Sequence, residues 1–185
     1  RKLAEFFECT PVPIPMDYFH AKDGSGIQLD YLEEKFKEGI RLFLFSNPNN
    51  PTGAVYSSEE VRAIARLAKQ YHVSLIVDEL YSRQIFDGRD YTHLCALEDL
   101  PEEMVTIIGP SKTESLSGFR LGVAFGSEAV ITRMEKLQAI VSLRCAGYCQ
   151  AVFHTWFSEP EGFMTDRIAK HQAIRDDLVA LLRSV

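Results

Sequence analysis

IIGPSKTESLSGFRLG, residues 107–122, carries a single lysine, Lys112, just past the apolar run Val105 to Ile108. That run reads as a buried strand broken by Gly109 and Pro110, so Lys112 emerges at a strand end, where α/β proteins build their sites. Arg120 follows eight residues later, bracketed by Gly118 and Gly122. A lysine amine available as a nucleophile, followed by a permanent cation among glycines, suits an anionic ligand held by Arg120 while Lys112 does covalent chemistry. A surface lysine beside a turn arginine fits the same residues, so the choice depends on what surrounds them.

Upstream, Val73 to Val77 reads as a second buried strand that delivers Asp78, Glu79 and then Tyr81 at its carboxyl end. A carboxylate there is costly to desolvate without a cationic partner, which singles out Asp78, although an exposed loop acid is the plainer alternative. Further upstream, Leu42 to Phe45 predicts a strand buried on both faces, ending in the loop SNPNNPTG, residues 46–53. Its prolines fix the backbone, and Asn47, Asn49 and Asn50 offer amides to a ligand oxygen or simply serve the turn. Ser57 with Glu60 predicts a capping box, Tyr56 with Val61 a hydrophobic staple, and Val61, Ile64, Ala65, Ala68 and Tyr71 the buried stripe of the helix that follows.

The remaining segments fill the same plan. Residues 1–7 read as a helix end, Cys9 to Met16 as an extended segment whose prolines exclude a central strand, and Leu29 to Phe36 as a short amphipathic helix. Ser82 to Pro101 reads as a lid-like or packing loop with a short helix. Leu121 to Phe125 predicts a strand and Glu128 to Val141 a helix; Cys149 to Phe157 and Asp166 to Val185 are helical in period, separated by Pro160 and Gly162. Buried strands with polar carboxyl-end loops argue for an α/β fold, a three-layer α/β/α sandwich around a mostly parallel sheet.

Composition narrows the function classes. The 185 residues are 46% hydrophobic and 25% charged, as in soluble globular proteins. A net charge of −6 without a basic cluster argues against nucleic-acid binding, and no apolar run approaches a membrane span. Four scattered cysteines without CxxC spacing fit free thiols in a reducing cytoplasm. Cys145 and Cys149 are four apart on an expected helix, yet no histidine completes a metal site, so buried thiols and no metal are expected. His72 and His93 read as solvent or capping residues, and Phe153, Trp156 and Phe157 as helix core or inter-domain packing.

The loop ending Asn50-Pro51-Thr52-Gly53, then Asp78 with Tyr81, then Ser111-Lys112 and Arg120, resemble in order and separation the large domain of the class I/II aminotransferases, fold-type I pyridoxal-phosphate enzymes. The resemblance implies pyridoxal 5′-phosphate as cofactor and an amino group moved between an amino acid and a 2-oxo acid through a Lys112 Schiff base. Lys112 would also shuttle the proton between the substrate Cα and the cofactor. Asp78 would pair with the pyridine nitrogen, Asn50 and Tyr81 would hydrogen-bond the phenolic oxygen, and Arg120 would take the phosphate with help from Ser111. Residues 1–150 would be part of the cofactor-binding large domain and 151–185 a helical segment leading towards a small domain, in a cytoplasmic homodimer.

Two departures stand beside these matches. Many relatives carry a phosphate-binding serine three residues before the lysine, where this chain has Gly109. The family's earlier phosphate-binding turn and stacking aromatic are expected before Arg1, and the arginine that takes the substrate carboxylate beyond Val185, so the chain reads as a large domain truncated at both ends. The same motifs serve lyases and synthases resembling aminocyclopropane-carboxylate synthase, and aminotransferase-like sensing domains of transcription regulators.

Overall fold

A computed structural model describes residues 2–185. Helix α1 (Lys2–Phe6) agrees with the expected helix end; Arg1 lies outside the described residues. The proline-bearing segment stays extended, forms an isolated antiparallel bridge between Met16 and Ile27, and packs Ile14 and Met16 against the core. Helix α2 (Leu29–Lys37) then buries Leu32 and Phe36.

Strands β1 (Leu42–Ser46), β2 (Ser74–Asp78), β3 (Met104–Ile108) and β4 (Val123–Gly126) form one sheet in that order. β1 with β2 and β2 with β3 are parallel, while β4 returns antiparallel to β3. The β1–β2 crossover contains helix α3 (Ser58–Gln70), as a parallel connection requires, whereas β3 and β4 are joined only by a loop with a short 3-10 turn at Ser117–Phe119. The register places Ser46 opposite Asp78 and Asp78 opposite Ile107. The carboxyl ends of β1, β2 and β3 therefore share one edge, and the loops bearing Asn50, Asp78 and Lys112 all leave from it.

Helices α2 and α3 cover one face of the sheet. Leu32, Phe36, Val61, Ile64 and Ala68 meet Phe43, Phe45, Leu75 and Val77 in one core cluster. Phe36, Phe43, Phe45 and Tyr56 form a continuous row with centroid spacings of 6.0, 5.2 and 5.1 Å. Each such side chain contributes about 1.5–3 kcal/mol by leaving water. The other face of β1 corrects the sequence expectation: Leu42 and Leu44 are 51% and 63% exposed, so the strand is buried on one face only. Its apolar residues alternate between a face covered by helices and one that no described residue covers.

The start of α3 is built as its sequence predicts. Glu60 N donates to Ser57 Oγ at 3.2 Å, Ser57 N donates to Glu60 Oε2 at 2.8 Å, and Tyr56 and Val61 are both buried. Glu60 has a second role, accepting from Ser25 N at 2.8 Å and Gly26 N at 3.0 Å. Downstream, Ser82 to Pro101 packs rather than hangs: Leu94, in a 3-10 turn, is 1% exposed.

Helix α4 spans Glu128–Val141 as expected. The next helical stretch is shorter than its period suggests, α5 (Gly147–Gln150) running into a 3-10 turn at Ala151–His154, so Cys145 lies outside the helix that carries the buried Cys149. Trp156 is buried, but Phe157 is 61% exposed and is not core. Helix α6 (Phe163–Arg183) begins at Gly162, whose φ of 80° suits glycine. It docks on the segment after β2: Arg175 forks Asp87 with two bonds of 2.7 Å, Gln172 Oε1 accepts from Asp87 N at 2.8 Å, and His171 meets Gln84 at 2.7 Å. Among the described residues no helix is long and apolar enough to cross a membrane.

Candidate active site

Three loops meet at the shared edge, and each holds polar side chains bonded within the protein close to others left open. After β1, Asn47 is 1% exposed and tied at three atoms: its N–H donates to Asp78 O (2.9 Å), its Oδ1 accepts from Tyr56 N (3.1 Å), and its carbonyl accepts from Tyr91 Oη (2.7 Å). Asn49 Oδ1 accepts from Thr52 Oγ1 at 2.9 Å. These two are the turn residues of the loop, whose two Asn–Pro bonds are both cis. Asn50 differs, for its backbone N donates to Ser46 Oγ at 3.2 Å while its exposed side-chain amide has no hydrogen bond among the described residues.

After β2 the same division separates neighbours. Glu79 is 1% exposed, and its carboxylate meets His93 Nδ1 and accepts from Leu94 N at 3.4 Å. That bond holds the His93 imidazole above its usual pKa, against the opposing effect of partial burial. His93 sits at the N-cap of the 3-10 turn, in keeping with a capping role, and its imidazole also ties that turn to the strand end. Asp78 is half-buried, accepts one bond from Leu80 N at 3.0 Å through Oδ1, and keeps its second oxygen without a partner among the described residues. Tyr81 Oη is likewise unpartnered, and Lys112 Nζ stands 5.8 Å from the centroid of its ring.

After β3, Lys112 is exposed and its amine makes no ion pair or hydrogen bond among the described residues, and the hydroxyl of half-buried Ser111 is also unpartnered. Gly109, where the family resemblance leads to a serine, lies in a tight place. A Cβ there would lie 3.1 Å from Leu121 O and 3.2 Å from Leu80 Cδ2, where the two strands and the β2 loop close together. Arg120 is exposed, has left-handed backbone with φ 53°, and donates Nη1 to Ser117 O at 2.8 Å within its own turn.

Two hollows flank this edge. One of about 580 Å³ is lined by Asn50, Thr52, Tyr81, Gln84, Arg89 and Arg175, between the Asn-Pro loop and α6. The other, about 520 Å³, lies beside Arg120, Phe119, Arg144, Tyr148 and Cys149. Asn50, Tyr81 and Lys112 are thus gathered on one side, with Asp78 brought in by strand register, while Arg120 faces a separate hollow and Asp78, Ser111 and Lys112 line neither. The donor set fits a polar cofactor: an amine, a carboxylate oxygen, a phenol, an amide and a guanidinium have their outward hydrogen-bonding capacity open. No group of three or more metal-ligating side chains gathers among the described residues.

Sequence reasoning missed the polar side chains behind the edge. Arg83 Nη1 bonds Glu114 at 2.6 Å and Glu159 at 2.7 Å, and holds the Glu159 carboxyl down to about 2. The doublet Asp78-Glu79 flagged the position of one member, but nothing in the sequence names the partner of Glu79 or Glu114.

Comparison with known proteins agrees with this architecture. The family model described as Aminotransferase class I and II matches residues 7–185. The crystal structure of an aspartate aminotransferase from Rhodobacter sphaeroides superposes with a TM-score of 0.96 at 61% identity, covering 100% of this chain and 47% of that one. Human kynurenine–oxoglutarate transaminase 1 is 27% identical over 182 residues, which is 94% of this chain and 43% of the human protein. Cystalysin from Treponema denticola, which contains pyridoxal 5′-phosphate, shares the fold with a TM-score of 0.75 at 21% identity, covering 85% of this chain and 42% of cystalysin. The chain spans less than half the length of these proteins. With nearly all its residues matched, and the loops of one sheet edge laid out as the motifs require, the chain belongs to the class I and II aminotransferase family.

Proposed function

We propose that the protein is an aminotransferase that moves an amino group between an amino acid and a 2-oxo acid, with pyridoxal 5′-phosphate held at the shared edge of β1, β2 and β3. The observation that carries the reading is the set of unpartnered polar groups there, on Asn50, Asp78, Tyr81 and Lys112, directly beside partnered neighbours. When bound, the cofactor supplies an electron sink for negative charge at the substrate Cα.

The chain's own residues do the rest. Lys112, whose amine makes no hydrogen bond or ion pair among the described residues, would hold the cofactor and would serve as the base that takes the proton from the substrate Cα. Asp78 presents its open oxygen to the ring nitrogen, where a carboxylate favours the protonated ring. Asn50 and Tyr81 donate to the phenolic oxygen. Arg120, which faces the neighbouring hollow, would take the phosphate with its planar fork, and Ser111 would add a hydroxyl. Residues 1–150 serve as the cofactor-binding part and 151–185 lead towards the substrate-closing part.

Four free cysteines support a reducing, cytoplasmic setting, and the exposed apolar side chains of Ile140, Val141 and Leu143 support a homodimer. The test is a half-reaction: the complete, cofactor-loaded protein mixed with single amino acids. Conversion of the cofactor to its amine form with stoichiometric release of a 2-oxo acid is expected; release of ammonia with no amine form would contradict the reading.

A further inference from the structure

The loop carrying Lys112 is held from behind by two arginines that come from distant segments. Glu114, two residues past the lysine, has a side chain only 5% exposed. It receives Arg83 Nη1 at 2.6 Å, Trp156 Nε1 at 3.2 Å and the neighbouring Thr113 hydroxyl. Arg83 is itself fixed, forking Glu159 at 2.7 and 3.1 Å and lying 4.5 Å from the centroid of the Phe157 ring. From the other side, Arg167 of α6 donates Nε to the carbonyl of Thr113 and Nη2 to the hydroxyl of Ser115. Every residue from Thr113 to Ser115 is thus tied by hydrogen bonds to a group outside the loop, while the Lys112 amine has no hydrogen bond or ion pair among the described residues and meets only the face of the Tyr81 ring.

We propose that Arg83, acting through Glu114, and Arg167, acting through the Thr113 carbonyl and Ser115, are positioning residues for Lys112. A flexible four-carbon side chain reaches a reacting atom reproducibly only if its backbone is fixed, and small misplacements are costly in rate. A loop free of regular hydrogen bonding gains that fixity from charge-assisted bonds to its carbonyl and to a buried carboxylate. Because Arg167 and the partner of Arg83, Glu159, both belong to the segment running into α6, that segment's seating sets the place of Lys112. This inference rests on the assignment of Lys112 under the proposed function.

The test uses the complete protein bearing Arg167→Met, Glu114→Gln or, as a control, Lys170→Met, which removes an exposed cation from α6 without touching the loop or the contacts that seat the helix. Amide hydrogen exchange of the cofactor-free protein is read in peptides covering 111–117 and β2. Arg167→Met and Glu114→Gln are expected to speed exchange in 111–117 by about tenfold, the factor for losing one charge-assisted bond, with β2 unchanged and Lys170→Met without effect on 111–117. In the loaded protein, the pH midpoint of the absorbance of the Lys112-bound cofactor is expected to move by about half a pH unit in the first two variants, since the amine's surroundings shift. Unchanged exchange at 111–117 in both variants, or an equal rise in every peptide, overturns the positioning role. Absence of any such absorbance in the parent protein would instead overturn the assignment of Lys112, and the exchange result would still decide the clamp.

Discussion

Each loop at the shared edge contains a pair of polar residues a few positions apart with opposite fates. Asn47, Glu79 and Glu114 are withdrawn from solvent and hydrogen-bonded through their side chains, whereas Asn50, Asp78 and Lys112 keep side-chain atoms without a hydrogen-bond partner among the described residues. The first set holds the loops in place by satisfying groups that would otherwise be buried at a cost of about 1–3 kcal/mol each. The second set is displayed by that framework. Chemically similar residues in one loop therefore divide into those that build the site and those that work in it, and substitutions should separate the two sets cleanly.

The largest contrast is expected between Lys112 and Glu114. Lys112→Ala should lower transamination by at least about 10³-fold, while unfolding in denaturant shifts by less than about 0.5 kcal/mol because the side chain touches so little. Loss of stability comparable to the loss of activity would erase the distinction. Within the second loop, Glu79→Ala should cost about 3 kcal/mol, since it strands His93 and the Leu94 N–H, whereas Asp78→Asn should leave the unfolding midpoint nearly unchanged and abolish most activity. Thermal melts beside initial rates read both. Asn47→Ala should destabilise by about 1–2 kcal/mol through the orphaned Tyr56 N–H, against less than about 0.5 kcal/mol for Asn50→Ala.

The smallest effect concerns pH. The Glu159 carboxyl is lowered from 4.5 to about 2 by Arg83, so its stabilising contribution is present above pH 4.5 and is lost as pH falls towards 2. Glu159→Gln should flatten that part of the acid limb of a stability profile. The His93 imidazole is raised by Glu79, so its contribution is full below its ordinary 6.5 and is lost as pH climbs through the raised value. His93→Gln should therefore lessen the decline above neutrality; an unaltered decline would show that the Glu79–His93 pair does not link stability to pH.

The displayed set was legible in the sequence because it follows apolar runs directly and sits in motifs whose spacing is local. The capping box of Ser57 and Glu60 was readable for the same reason. The framework set was not legible, because a hydrogen bond from Arg83 to Glu114 spans 31 residues and one from Arg83 to Glu159 spans 76, and polar side chains leave no periodic trace of such pairings. Glu60 illustrates both cases, its cap being local and its hold on Ser25 reaching across 35 residues. Leu42 and Leu44 misled for a different reason: an unbroken apolar run says that both faces of a strand can be buried, not that the described residues bury them. Gly109 stands out in the sequence as a departure, whereas the close approach of Leu121 and Leu80 to it is visible only in the structure.

The most direct measurement is reduction of the cofactor-loaded complete protein with labelled borohydride, followed by peptide mapping. The account predicts one label per chain, fixed to Lys112 in the peptide that contains Ser111 to Arg120. Label on another lysine, or none in a protein that carries out the half-reaction, would contradict it.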